Sequence, residues 1–514
     1  MHHLPLFAAT LLVSLPGQAP AEMLRLSIAG PATWRARLQP TNLGSMLSSA
    51  AAERIWHGYV DAVDRTLRTV RKADEAFAQE RTRLLDYGGT LHVVTWLEQA
   101  EDALHVPRWS AALVAEPDGH SDLSAMAGAC EAWFARVGER ASNAWRDVAP
   151  GPAQLVDGRL VVVFAGDDDR APATARAHAF VGKKLDPRDV LRLELEVPPT
   201  LGLLRDREWE RGLVGDLLGA ATQRLALTIG AFGPQVAFTV TAEFGDGVRG
   251  ALGCVAPPRD GVPDLHSLVP DGTATWLSWQ IDASAGYATF VRVLAGLSNR
   301  DEPRVAADLR RAHGIDVMRE ALPLLGSEAL LLWPEAAAVA ADLLPESEFC
   351  LLVPVRDEQA LRAVAVGLAP RLGANEITAG EDAFVCQWPG AGQLRLADGM
   401  LCLTGQAVPP EFLERLWEHV ARWRPGKGFD RGAGVTGSGR VDVARFAVHE
   451  LYADLYAMRV LFLPGRAGDL QLPPVGKVAE ELDRWLPMLR QHQLGDAAVE
   501  LRTWPAKSQL RVAW

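Results

Sequence analysis

Gly432, Gly434 and Gly437 spell G-x-G-x-x-G inside "RPGKGFDRGAGVTGSGRVDVARF", the spacing that lets backbone amides approach a nucleotide pyrophosphate. That chemistry requires a strand before the glycines and a helix after them, because the phosphates rest on the helix N-terminus. Here the order is inverted. "EFLERLWEHVARW", before the loop, has helical periodicity, and "GRVDVARF", after it, alternates as a strand does. The phosphate-loop arrangement G-x-x-x-x-G-K-[ST] is also missing. The segment reads as a connector from helix to strand.

The other chemistry-bearing residues fall short in similar ways. Asp167, Asp168 and Asp169 follow a strand-like run and could face a hard cation, but successive carboxylates point in different directions. No acidic partner follows at calcium-loop spacing, so the run reads as a surface turn. His449-Glu450 lacks the second histidine of a zinc helix. Ser45, Ser327 and Ser438 stand beside glycines without the strand-elbow-helix setting of a nucleophile. Arg422, Arg424, Lys427 and Arg431 lie near Trp417 and Trp423, a mixture able to hold an anion or nucleic acid; four cations in an acidic chain read instead as a solvated loop. No catalytic, cofactor-binding or metal-ligating residue is assigned, and no cofactor is expected.

The whole chain narrows the choice further. At 514 residues it exceeds what one hydrophobic core supports, so two or more domains are expected. A net charge of -12 repels phosphate backbones and argues against nucleic acid as partner. The apolar run from Leu4 to Leu15, followed by Ala19-Pro20-Ala21, reads as a signal peptide over residues 1–21. It predicts a periplasmic or secreted protein, and no later run is apolar for long enough to predict a transmembrane segment. Cys130, Cys254, Cys350, Cys386 and Cys402 include no C-x-x-C pair, and most sit in strand-like apolar runs as small buried groups. A bridge among Cys350, Cys386 and Cys402 is left open by spacing alone. Most of the tryptophans, Trp56, Trp133, Trp417 and Trp485 among them, are expected in cores.

These residues must be positioned by alternating strands and amphipathic helices. Trp56, Val63, Val70, Phe77 and Leu84 recur every seven residues and predict a long helix within Ala50 to Leu85. "MLRLSIAG", "GGTLHVVTWLE", "RWSAALVAEP" and "VLRLELEV" read as strands, and "DLSAMAGACEAWFARVGERASNAW" as a helix. "AQLVDGRLVVVFAG" reads as a hairpin turning at Asp157-Gly158. Glu208 to Ile229 reads as a helix, followed by a hairpin turning at Asp246-Gly247. The second half replays the order: "TWLSWQID", "GSEALLLWPE" and "PESEFCLLVPV", then the hairpin "LRLADGMLCLTG" with its turn at Asp398-Gly399. It closes with the helix "KVAEELDRWLPMLRQH" and the hairpin "AAVELRTWPAKSQLRVAW". The expected architecture is α+β: two tandem, similar domains over 22–255 and 275–514, joined by a linker at 256–274, each a mainly antiparallel sheet with helices packed on one face.

"PTNLGSMLSSAAAERIW", "LLGSEALLLW", "LPESEFCLLVPVRDEQALRAVAVGL" and "LHSLVPDGTATWLSWQID" resemble a family of exported bacterial proteins defined by a domain of unknown function. The resemblance implies export and a duplicated α+β fold, and carries no catalytic residue. The expected function is a non-catalytic envelope or periplasmic protein with a structural or partner-binding role, its partner an unidentified envelope or secreted protein. The rivals are an exported hydrolase whose site assembles from distant residues, and a carrier of an apolar ligand.

Overall fold

A computed structural model describes residues 21–50, 87–97, 109–138, 149–198, 218–255, 265–334, 349–424, 435–442 and 487–514, with short breaks inside these ranges. Of the predicted helix within Ala50 to Leu85 only Ala50 is described, and residues 1–20 of the signal-peptide reading lie outside the described residues, its last residue, Ala21, opening β1. The chain divides into two compact units, the first ending at Asp246 and the second starting at Gly247, the stretch Asp216–Ala221 excepted. Each unit is α+β, and the strand pairings within each are antiparallel.

The first unit contains β1 (Ala21–Ala29), α1 (Pro31–Leu38), α2 (Asn42–Leu47), β2 (Thr90–Leu97), β3 (Trp109–Ala115), α3 (Leu123–Gly138), β4 (Ala149–Pro150) and β5 (Gln154–Val156). It continues with β6 (Arg159–Ala165), α4 (Asp167–Ala179), β7 (Asp189–Glu196), β8 (Thr222–Phe232) and β9 (Gln235–Phe244). Hydrogen bonding orders the strands β9-β8-β7-β1-β2-β3-β6, with β4 and β5 both pairing beyond β6. One sheet face is buried by α4. Val94 and Trp96 of β2, Ala112 and Val114 of β3, and Val161 and Val163 of β6 pack with Ala173 and Ala177 of that helix. The spacing follows from strand pleat, which sends every second side chain to one face.

Four expectations for this unit are corrected. Helices do not keep to one sheet face: α4 covers the face of Val94, Ala112 and Val161, whereas Leu123 and Met126 of α3 pack with Ala115 and Leu160, which the strand pleat sends to the opposite face. Asp167, Asp168 and Asp169 do not form a surface turn; they are the first turn of α4, after Gly166 as N-cap. Carboxylates there face the positive end of the helix dipole, and this offsets the hydrogen bond lost at Pro172 inside the helix. Thr222 to Ile229 is strand rather than helix. Leu225, Leu227 and Ile229 alternate with Arg224, Ala226 and Thr228, a period-two pattern that the helix reading overlooked. The hairpin therefore joins β8 to β9 and turns at Gly233 (φ 63°), not at Asp246-Gly247. Beyond Gly247 the chain enters a short 3-10 turn, Gly250–Cys254.

The second unit contains β10 (Thr273–Gln280), α5 (Ala283–Ser298), α6 (Glu302–His313), β11 (Glu328–Pro334), β12 (Cys350–Pro354), α7 (Glu358–Leu368), β13 (Glu376–Ala379) and β14 (Ala383–Trp388). It ends with β15 (Gly392–Ala397), β16 (Met400–Thr404), α8 (Pro410–Arg422), β17 (Val435–Asp442), β18 (Asp496–Trp504) and β19 (Lys507–Ala513). Its strand order is β19-β18-β17-β10-β11-β12-β16-β15-β14-β13. Phe412, Leu416 and Val420 of α8 pack on Leu330, Leu332, Leu352 and Met400 of the sheet. Leu265 and Leu268, from the stretch read as linker, are fully buried in the same core.

The two Asp-Gly hairpins turn as the sequence predicts. Asp157 and Gly158 adopt φ of 51° and 76°, and Asp398 and Gly399 adopt 50° and 74°. Two successive left-handed residues make a turn whose twist matches the flanking strands. The Gly399 amide also donates to Glu358 Oε2 at 2.7 Å, tying the turn to the start of α7. Gly399→Ala is expected to cost about 1 kcal/mol through left-handed strain alone, read as a lower midpoint in urea unfolding with unchanged slope. Among the described residues no helix is long and apolar enough to cross a membrane.

Candidate functional site

The glycine motif is part of the sheet. Gly437 lies within β17, after helix α8, while Gly432 and Gly434 lie outside the described residues. β17 runs beside β10, with Gly437 opposite Trp279 and Gly439 opposite Leu277. A Cβ on Gly437 would sit 2.8 Å from Trp279 Cβ and 2.9 Å from the Ser278 carbonyl oxygen. The glycine is required by a close approach of strand and tryptophan.

The basic and aromatic mixture separates similarly. Arg422 pairs with Glu418 at 3.3 Å, and Arg424 Nη1 donates to the carbonyl oxygens of Ala421 and Trp423, where α8 ends. Cations there satisfy terminal carbonyls and the negative end of the helix dipole. Lys427 and Arg431 lie outside the described residues, as do His449, Glu450, Trp56 and Trp485. Ser45 belongs to α2. The Ser327 carbonyl accepts from the Ile281 amide, and Ser438 stands in register between Ser278 and Glu500.

What the structure brings together is a pair the sequence did not announce. Ser27 Oγ of β1 lies 2.8 Å from His92 Nδ1 of β2, with the two residues 3% and 1% exposed. Burial, reinforced by the nearby Arg25 cation, holds the imidazole down to about 4, so the ring is neutral at physiological pH. Phe180 meets the ring edge-on at 5.6 Å, and the Arg25 guanidinium lies 5.1 Å from the Phe180 centroid. A serine hydroxyl beside a neutral imidazole is the core of a nucleophilic pair. Catalysis also requires that a substrate reach the hydroxyl, and this pair is enclosed. A Cβ on Gly182 would lie 2.3 Å from His92 Nε2, so the backbone there closes the ring's outer edge. The second unit has a buried serine in its own first strand: Ser278 Oγ donates to Glu328 Oε1 at 2.6 Å, each residue 1% exposed. Both serines satisfy an ionisable side chain inside a core, where an unmet polar group would be costly.

A groove among the described residues is open to solvent. Helix α8 and the β15–β16 hairpin border this groove of about 510 Å³, lined by Gln393, Arg395, Asp398, Glu414, Trp417 and Glu418, with Leu413 and Ala421. Trp417 is only 8% exposed and belongs to the core, as expected. The Arg395 guanidinium lies 4.0 Å from its ring centroid, and Arg395 Nε is buried with no hydrogen-bond partner. Behind it stands Cys402, in register on β16, its thiol pushed up to about 12 by burial against the opposing pull of Arg395. Arg395 escaped the sequence reading because one arginine in an alternating strand passes for a solvent-facing residue. The legible signal was its parity: it shares a sheet face with buried Cys402 and Leu352.

All five cysteines are free. Cys350 and Cys402 share the core under α8, whereas Cys386 packs with Phe384 and Leu396 in a separate cluster. Among the described residues no three histidine, cysteine or carboxylate side chains gather as a metal site. No family model, curated protein or solved structure matches the chain.

Proposed function

We propose that this is an exported, non-catalytic protein of the bacterial envelope or periplasm, with a structural or partner-binding role, built from two tandem copies of one α+β domain. The observation that carries the reading is the contrast between closed and open polar groups. Ser27 with His92, and Ser278 with Glu328, are used up inside cores, while the groove beside Trp417 is open and lined by Arg395 together with the carboxylates of Asp398, Glu414 and Glu418. The first is the signature of structure and the second that of binding.

Duplication is supported by the strand orders, β9-β8-β7-β1-β2-β3-β6-β5 in one unit and β19-β18-β17-β10-β11-β12-β16-β15 in the other. In each unit an Asp-Gly hairpin precedes the helix that covers the core, and the first strand, central in its sheet, carries a buried serine. Export is supported by the signal-like residues 1–21 and by the resemblance to an exported family.

Pull-down of the mature protein from envelope extracts, followed by mass spectrometry of bound proteins and small molecules, tests the reading. A stoichiometric protein partner is the expected result. A stoichiometric lipid would establish the apolar-ligand carrier instead, and labelling of Ser27 by a fluorophosphonate would establish the hydrolase.

A further inference from the structure

Resting on the partner-binding reading, we propose that the groove between α8 and the β15–β16 hairpin binds a short peptide carrying a carboxylate flanked by basic side chains, the carboxylate on Arg395 and the basic groups on the acidic rim. The charge pattern selects this chemistry. The lining holds one cation, Arg395, and three carboxylates, Asp398, Glu414 and Glu418, of which Glu418 is shared with Arg422. A purely anionic ligand would meet three like charges on its way to Arg395. A purely cationic one would be drawn to the rim but leave the guanidinium beneath it without an acceptor. A ligand with both signs satisfies both.

The geometry adds direction. Trp417 stacks against the guanidinium at 4.0 Å, so the planar fork is held in one orientation before any ligand arrives. A fixed guanidinium donates two parallel hydrogen bonds to a carboxylate, a geometry that an ammonium cannot reproduce. Gln393, beside Arg395 in the lining, accepts from Gln387 Nε2 through its Oε1 and leaves its amide NH2 to donate along a peptide backbone. A groove of about 510 Å³ falls within the range of small-ligand sites and accommodates a few residues.

The test is isothermal titration of the full mature chain with the tetrapeptide Lys-Lys-Ala-Ala bearing a free carboxyl terminus, with its amidated form, and with Glu-Glu-Ala-Ala. The free-acid basic peptide is expected to bind saturably at one site. Amidation and Arg395→Gln are each expected to weaken binding by about 10-fold, the loss of a charge-assisted pair. The acidic peptide is expected not to bind. Asp398→Asn, on an exposed turn whose left-handed backbone asparagine also adopts, should weaken binding by about 3-fold and flatten its salt dependence. It serves as the second variant should thermal melting show that Arg395→Gln is unfolded. Absence of saturable binding, equal binding of acid and amide, or binding indifferent to both substitutions would overturn the proposal. A partner recovered by pull-down whose binding ignores these substitutions removes the groove and leaves the partner-binding reading standing; failure to recover any partner while the peptide binds does the reverse.

Discussion

Gly437→Val is expected to unfold the second unit, with a loss of about 3 kcal/mol or more, the upper part of the range for forced overpacking. The first atom of the new side chain would meet Trp279 Cβ at 2.8 Å, the Ser278 carbonyl oxygen at 2.9 Å and Leu501 Cβ at 3.3 Å. Two neighbouring strands supply these contacts, one of them through backbone, so relief requires β17 to move away from β10 and break their ladder. Circular dichroism across a urea titration gives the measurement. A phosphate-binding loop would behave differently: its glycine could be replaced with loss of nucleotide affinity and retention of the fold. A Gly437→Val protein as stable as the parent would refute the packing role assigned here.

Acid is expected to destabilise the first unit through His92. Its ordinary value of 6.5 is lowered to about 4 by burial and then by Arg25. A group whose folded-state value is depressed binds fewer protons folded than unfolded between the two values. Stability is therefore whole above about pH 6.5, falls as the pH approaches 4, and receives no further loss from this residue below that. Integrated over the window, the linkage amounts to about 3 kcal/mol. Carboxylates add their own acid sensitivity, among them Glu194, which, against the opposing effect of burial, Arg192 and Lys183 hold below the usual carboxylate range. The decisive quantity is thus the difference in pH slope between the parent and His92→Gln, from urea midpoints at pH 7 and pH 4.5. Equal slopes would show that His92 is not linked to folding.

The parts of this molecule legible in the sequence are those set by local rules. Asp157-Gly158 and Asp398-Gly399 announce their turns because few residues tolerate consecutive left-handed angles. Their flanking strands follow from alternation, as do "LRLSIAG" and "TWLSWQID". Local rules fail where a longer pattern overrides them. Thr222–Phe232 was masked by helix-forming leucines and alanines ahead of the decisive Gly233 turn. Asp167 to Asp169 read as a surface turn, yet they begin a helix that continues through Pro172. The polar interior was the least legible. Ser27 and His92 are 65 residues apart, and only the pairing of β1 with β2 makes them neighbours. Arg395 touches Trp417 because α8 folds back over β15, a tertiary event that no spacing along the chain encodes.

The place of β1 in its sheet has a kinetic consequence. The first strand of its unit among the described residues, it is hydrogen-bonded on one side to β2 and on the other to β7, at Asp189–Glu196. Its second edge therefore stays unsatisfied until most of the unit has been made, and closing so large a loop slows the search for the native pairing. β10 faces the same wait for β17. Refolding from urea should accordingly be slow for chains of this size.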